Sequence, residues 1–301
     1  MPRNGMKKRL IVFLLLIVAA IAFYSQRVII QDTFFAEKKI LLPESISFEE
    51  LQEEKQEEMP QNENRDETMV EEKDEEISDI PPEEEIPIPP IVTEEEIPEE
   101  NTEPSDTDLL KEINLAVPFT PQAPYADWEL PYKEACEEAS IYMIHVFYEG
   151  MQAGLIDPGV AKEQIDQLVA FEQSLFGFYE DTDATKTGIL AEQFYGYGNI
   201  AIREDPTIEE IKRHLIDGRP VIIPADGQQL GNPYFQQPGP PYHMLVIKGY
   251  TEEGFITNDP GTRRGENFVY GFDVLMNAMH DFNDGNVPEG RKVMIVVYPE
   301  K

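Results

Sequence analysis

Apolar residues fall into three regimes along this chain. They run unbroken from residue 10 to 24, lie scattered among Asp, Glu and Pro from 32 to 112, and recur at regular spacings from 113 onward. The last regime predicts folded elements. Residues 115–119 read as a short strand, followed by an ordered loop over 120–132 that holds three prolines and the only Trp. Ala135, Ala139, Tyr142, Met143, Val146 and Phe147 recur at helical spacing, and Gly150 stands where that helix stops. Cys136 falls in its first turn. A second helix is predicted over 160–176, with Ile165, Leu168, Val169, Phe171 and Leu175 on its buried face, and a third over 187–195. A fourth opens with the capping box Thr207-Ile208-Glu209-Glu210 and ends at Gly218, before Pro220. The period then changes to that of a sheet, with strands over 221–225, 242–250, 254–258 and 291–298. Helices first and strands later predict an α+β fold rather than an alternating α/β one.

Charge separates the other two regimes. Arg3, Lys7, Lys8 and Arg9 flank the apolar run on its N-terminal side, which predicts a signal-anchor over 10–31 with residues 1–9 in the cytoplasm and the rest outside it. The uninterrupted part is about 15 residues against the ~20 of a simple span, so a cleaved signal peptide, with Ala20-Ile21-Ala22 as its processing site, is the alternative. Residues 44–108 hold 27 Asp+Glu against 3 Lys+Arg, most of the formal net charge of -35. With so few large apolar side chains, residues 32–112 are expected to be a disordered, self-repelling linker. Residues 113–301 are long enough to bury one core without staples. They remain acidic, which excludes nucleic acid as a partner, since phosphate recognition needs clustered Lys and Arg.

The candidate chemistry starts from the single cysteine, which rules out an internal disulfide. An inert buried thiol is the ordinary reading of such a residue. A helix first turn, however, favours the thiolate by about 0.3 to 1 kcal/mol. Glu134, Glu137 and Glu138 oppose it unless they point outward, so a cationic partner is needed. His145 is nine residues along the same helix, about 13 Å away, and cannot reach. His214 and His280 read as exposed and helical, whereas His243 opens the strongest predicted strand. If Glu252-Glu253 form a hairpin turn, Asp259 returns to the same end as His243, although simple register sets His243 opposite Thr262 and requires a bulge or a different turn. Such a carboxylate would orient the imidazole.

The ordered set Pro118-Phe119-Thr120-Pro121-Gln122, Trp128, Cys136-Glu137-Glu138-Ala139-Ser140, His243 to Tyr250 and Asn258-Asp259-Pro260-Gly261 resembles the bacteriocin-processing (double-glycine leader) peptidase-like family of papain-like fold. The resemblance implies a papain-like cysteine peptidase domain over 113–301, with Cys136 as nucleophile, His243 as general base, Asp259 orienting it and Gln122 contributing to an oxyanion hole. It implies a hydrolase of peptide or amide bonds with a peptide or protein substrate and no cofactor, which the N-terminal anchor expected above would make membrane-tethered and extracytoplasmic. An acyl transferase of the transpeptidase or transglutaminase kind with the same triad, and a non-catalytic papain-like binding module, are the alternatives. Residues 281–286 have the flavour of a calcium loop, but Gly285 occupies a ligand position, and no spacing builds a zinc site, so no metal is expected. The Pro/Gly-rich loop 231–241 is expected to overhang the groove beside His243, and Trp128 to pack its own loop.

Overall fold

The computed structural model describes residues 40–58 and 110–299. The expected anchor at 10–31, the basic segment 1–9 and residues 32–39 and 59–109 of the expected linker lie outside the described residues. Among the described residues no helix is long and apolar enough to cross a membrane. The described residues from Pro43 onward belong to one unit. Its elements are α1 (Phe48–Glu58), β1 (Ile113–Asn114), a 3₁₀ turn at Tyr132–Glu134, α2 (Cys136–Tyr148), α3 (Pro158–Phe176), α4 (Ala184–Tyr195) and β2 (Ile200–Glu204). They continue with α5 (Ile208–Ile216), β3 (Val221–Ala225), α6 (Gly227–Leu230), β4 (His243–Tyr250), β5 (Phe255–Asn258), β6 (Phe268–Tyr270), α7 (Phe272–Ala278) and β7 (Val293–Val297). The strands form one sheet in the order β2-β7-β3-β4-β5-β6, with β1 on β4 and every pair antiparallel. The fold is therefore α+β.

Local chemistry sets the boundaries. Asp157 accepts from the Gly159 and Val160 N–H groups at the start of α3, Pro158 takes the first helical position where its missing N–H costs nothing, and Gly177 ends the helix at φ 85°. Asp183 caps α4 by accepting from Lys186 N–H, and Thr207 caps α5 by accepting from Glu210 N–H. The two aspartate caps start α3 and α4 two or three residues earlier than apolar spacing alone predicts. Helix α2 has no side-chain cap, because Ala135 occupies that position. It is buried on nearly every side, between β4 and the helices α3 and α4. β3, β4 and β7 are buried along their whole lengths, which explains their continuous Val, Ile and Met runs.

Two expectations need correction. Residues 115–119 are not a strand: Leu115 and Phe119 make single bridges, and the carbonyls of Val117 and Pro118 accept from the side chain of Asn258 rather than from a neighbouring strand. The acidic stretch is also not a free spacer from 32 to 112. Ile46 N–H donates to Asn114 O and Ala116 N–H to Ile46 O, both at 2.8 Å, so this segment joins the domain alongside β1. A capping box then starts α1: Glu50 accepts from Ser47 N–H, and Ser47 Oγ accepts from Glu50 N–H. Phe48 packs edge-on against Phe147 and Tyr148, Leu51 is 5% exposed against Gly218, and Lys55 donates to Asp217 O at the end of α5. Two apolar side chains hold so acidic a helix because the surface that receives them is already built by the domain.

Candidate active site

Residues from four separate stretches of the chain meet at one cleft of about 930 Å³. Its lining includes Gln122, Trp128, Lys133, Glu134, Cys136 and Asp181, the 234–243 loop with His243, and the turn Gly261–Arg264. The Pro/Gly-rich loop thus lines the cleft as expected. Trp128 differs from expectation, because it is 38% exposed and faces the cleft instead of being buried under its loop.

His243 begins β4, and the hairpin to β5 decides what it meets. Tyr250 pairs with Phe255 and Gly249 with Ile256, but Ile247 pairs with Thr257, so Lys248 is an extra residue in a bulge. The slip brings Asp259 one position closer to His243 than simple register does. His243 Nε2 lies 2.8 Å from Asp259 Oδ1, with the two side chains 2% and 0% exposed. This leaves Nδ1 as the imidazole nitrogen not engaged by the carboxylate, while Phe235 meets the ring edge-on at 5.3 Å.

Asp259 is over-supplied with donors. Gly261 N–H donates to Oδ1, and Asn232 Nδ2 and the Tyr270 hydroxyl donate to Oδ2 at 3.0 and 2.6 Å. Burial by itself pushes its carboxyl up, but His243 and these hydrogen bonds outweigh that and hold its pKa below the ordinary carboxylate value. The same environment raises the Tyr270 hydroxyl, through burial first and the Asp259 charge second. Sequence reasoning missed Asn232 and Tyr270. Tyr270 ends the short apolar run of β6, whereas nothing local marks Asn232.

Cys136 begins α2 and is 6% exposed. Its thiol donates to Glu137 Oε2 at 3.0 Å. Burial, then the Glu137 carboxylate, push the thiol well above its usual value, while the Met244 backbone N–H works the other way. The glutamates do not point outward: Glu137 and Glu138 are 1% and 0% exposed, and Glu172 of α3 joins them at 0%. Gln122 reaches the cleft, yet its Nε2 donates to Tyr132 O and Lys133 O at 2.9 and 2.8 Å, which uses both of its hydrogens. Its backbone N–H donates to Pro260 O.

The remaining histidines lie elsewhere. His145 stacks on Tyr195, and His214 is buried rather than exposed, with burial lowering its pKa to about 4. His280 follows α7 and places Nδ1 2.9 Å from Gly290 O. Among the described residues no group of His, Cys, Asp and Glu is arranged to hold a metal ion. Asp281, from the loop with a calcium flavour, instead accepts from the N–H groups of Ala184 and Phe282 and pairs with Arg291.

Comparison with known proteins follows the same lines. The model of the Peptidase_C39 like family matches residues 114–281, more than half of the chain. No curated protein is similar enough to match. Among solved structures, a candidate C39-like peptidase from Bacillus anthracis is 16% identical, with 64% of this chain and all of that one covered and a TM-score of 0.43. At that overlap, the assignment rests on the family match.

Proposed function

Since the chain belongs to the C39-like peptidase family, we propose that it is a peptidase in which Cys136 attacks a peptide carbonyl, His243 moves the protons and Asp259 orients the imidazole. The observation that carries this reading is the buried His243–Asp259 pair at 2.8 Å, opening onto the cleft that holds the only thiol. With Nε2 tied to Asp259, Nδ1 is the atom that takes the thiol proton and later gives it to the leaving amine. The acyl-enzyme on Sγ is then released by water that His243 deprotonates. The uncapped first turn of α2 leaves the Cys136 backbone N–H as a donor for the oxyanion. Gln122 can join it only by giving up one of its two carbonyl partners. The basic flank and apolar run at the N-terminus support the further reading that the domain is anchored outside the cytoplasm through residues 10–31. Resistance to alkaline extraction from membranes tests that part.

Incubation of the full chain with a mixed peptide library, read by mass spectrometry, tests the chemistry. The wild type should cleave, and Cys136→Ala and His243→Ala should each lose about 10³-fold or more. Asp259→Asn should lose a further measurable fraction of activity while still folding. Products bearing an added amine instead of water would replace hydrolysis with acyl transfer. A library untouched by the wild type would leave the non-catalytic binding module.

A further inference from the structure

The carboxyl cluster beneath the nucleophile has no cation paired with it among the described residues. Five oxygens of Glu137, Glu138 and Glu172 are buried without a hydrogen bond, and none of the salt bridges among the described residues reaches them. The groups whose charge bears on the sulfur or on Glu137 are Glu138 on the same helix, Glu172 of α3, Asp181 of the loop before α4 and Tyr242 before β4. His243, the Lys133–Glu134 pair, Arg263 and Arg264 line the same cleft. Three carboxylates and a thiolate cannot all be charged in such a space, because desolvation and mutual repulsion both penalise it. They must share protons, and the one hydrogen bond drawn to the sulfur shows who shares with whom: Cys136 donates to Glu137.

We propose that Glu137 is a further catalytic residue: as a carboxylate it holds the Cys136 thiol in a protonated resting form, and on protonation it frees the sulfur to ionise against His243. The proposal rests on the triad reading above. The step balances with one proton taken from solution. The resting state is Cys136–SH, Glu137 carboxylate and neutral His243. The incoming proton neutralises Glu137 at Oε2 and the thiol proton passes from Sγ to His243 Nδ1, giving Cys136 thiolate, neutral Glu137 carboxyl and imidazolium. Net charge on the three groups changes from one negative to zero, so the ion pair forms without adding charge to the buried cluster. Burial raises the pKa of Glu137 and Glu138 well above the ordinary carboxylate value, so Glu137 takes up its proton at a higher pH than an exposed glutamate does. The enzyme would then be activated by mild acid.

The test is the rate of alkylation of the full chain by iodoacetamide from pH 5 to 9, in the wild type, Glu137→Gln, His243→Ala and the double variant. The wild type should react about ten-fold faster near pH 5.5 than near pH 7.5, a dependence opposite to that of an ordinary thiol with a pKa of about 8.5. Glu137→Gln, which cannot carry the charge, should raise the rate at pH 7.5 about ten-fold and flatten the profile, with the effect absent in the double variant. A wild-type rate that rises steadily with pH overturns the proposal whether or not the variant folds. So does an unchanged profile in a folded Glu137→Gln. If acid-side labelling is lost in His243→Ala but Glu137→Gln changes nothing, the triad stands and only this role for Glu137 falls. If His243→Ala leaves labelling untouched as well, the triad reading falls with it.

Discussion

Gly261 lies so close to the imidazole that a Cβ there would sit 2.8 Å from Cε1 of both His243 and Phe235. Any side chain must push the ring off its line with Asp259 or displace the phenyl that meets it. Gly261→Ala should therefore cut kcat/KM by about ten- to a hundred-fold, since small misplacements of reacting groups are that costly, with a thermal midpoint close to wild type. Steady-state peptide hydrolysis beside a melting curve checks it, and full activity would mean that the ring has room to move. Lys248 shows how far a residue can depart from its usual setting. It is 2% exposed in the bulge of β4, donates to Asn114 Oδ1 and Asn267 Oδ1, and burial lowers its pKa to about 8. Read in sequence, a lysine inside an apolar strand looks like the exposed member of an alternation. Its burial depends on two asparagines from elements far away along the chain.

At the scale of elements, the bulge and the docked helix α1 matter most. The hairpin turn and both strands are evident from Tyr242 to Asp259, but the one-residue slip at Lys248 is not, because it is set by what packs around that lysine. α1 was legible in principle: Ser47-Phe48-Glu49-Glu50 is a capping box, and Phe48 and Leu51 lie three residues apart on one face. The surrounding acidity hid it. Leu51→Ala should cost about 2 to 5 kcal/mol, the usual range for a buried leucine, and lower the melting midpoint by several degrees. Peptide hydrolysis at 20 °C should stay within about two-fold of wild type. A midpoint unchanged by the substitution would mean that α1 is not held to the domain in solution.

For the whole molecule, the placement of charge governs stability against pH. Glu172 has its pKa raised by burial to about 7, and Glu137 and Glu138 are raised as well, so the folded state binds more protons than the unfolded one from about pH 4.5 upward. Stability gained from these groups is present below that pH and is lost as pH rises through the folded values. Asp259, with its pKa lowered, works oppositely and loses its contribution only as pH falls through that lowered value. The protein should thus melt several degrees higher at pH 5.5 than at pH 8, and Glu138→Gln should narrow the gap. A midpoint that rises from pH 5.5 to 8 would contradict the buried, unpaired state of the cluster.

Sequence by itself determined the elements whose cause is local. Apolar spacing marked the helices, Thr207 and Gly218 bounded α5, continuous Val and Ile runs marked the buried strands, and the helix-start position of Cys136 singled out the thiol. Tertiary structure alone decided the relations between elements: the bulge that brings Asp259 to His243, the donors Asn232 and Tyr270 that keep Asp259 charged, and the inward turn of Glu137, Glu138 and Glu172. The physical reason is range. Capping and periodicity act over a few residues, whereas register, burial and the sharing of protons depend on which distant side chains complete the surroundings.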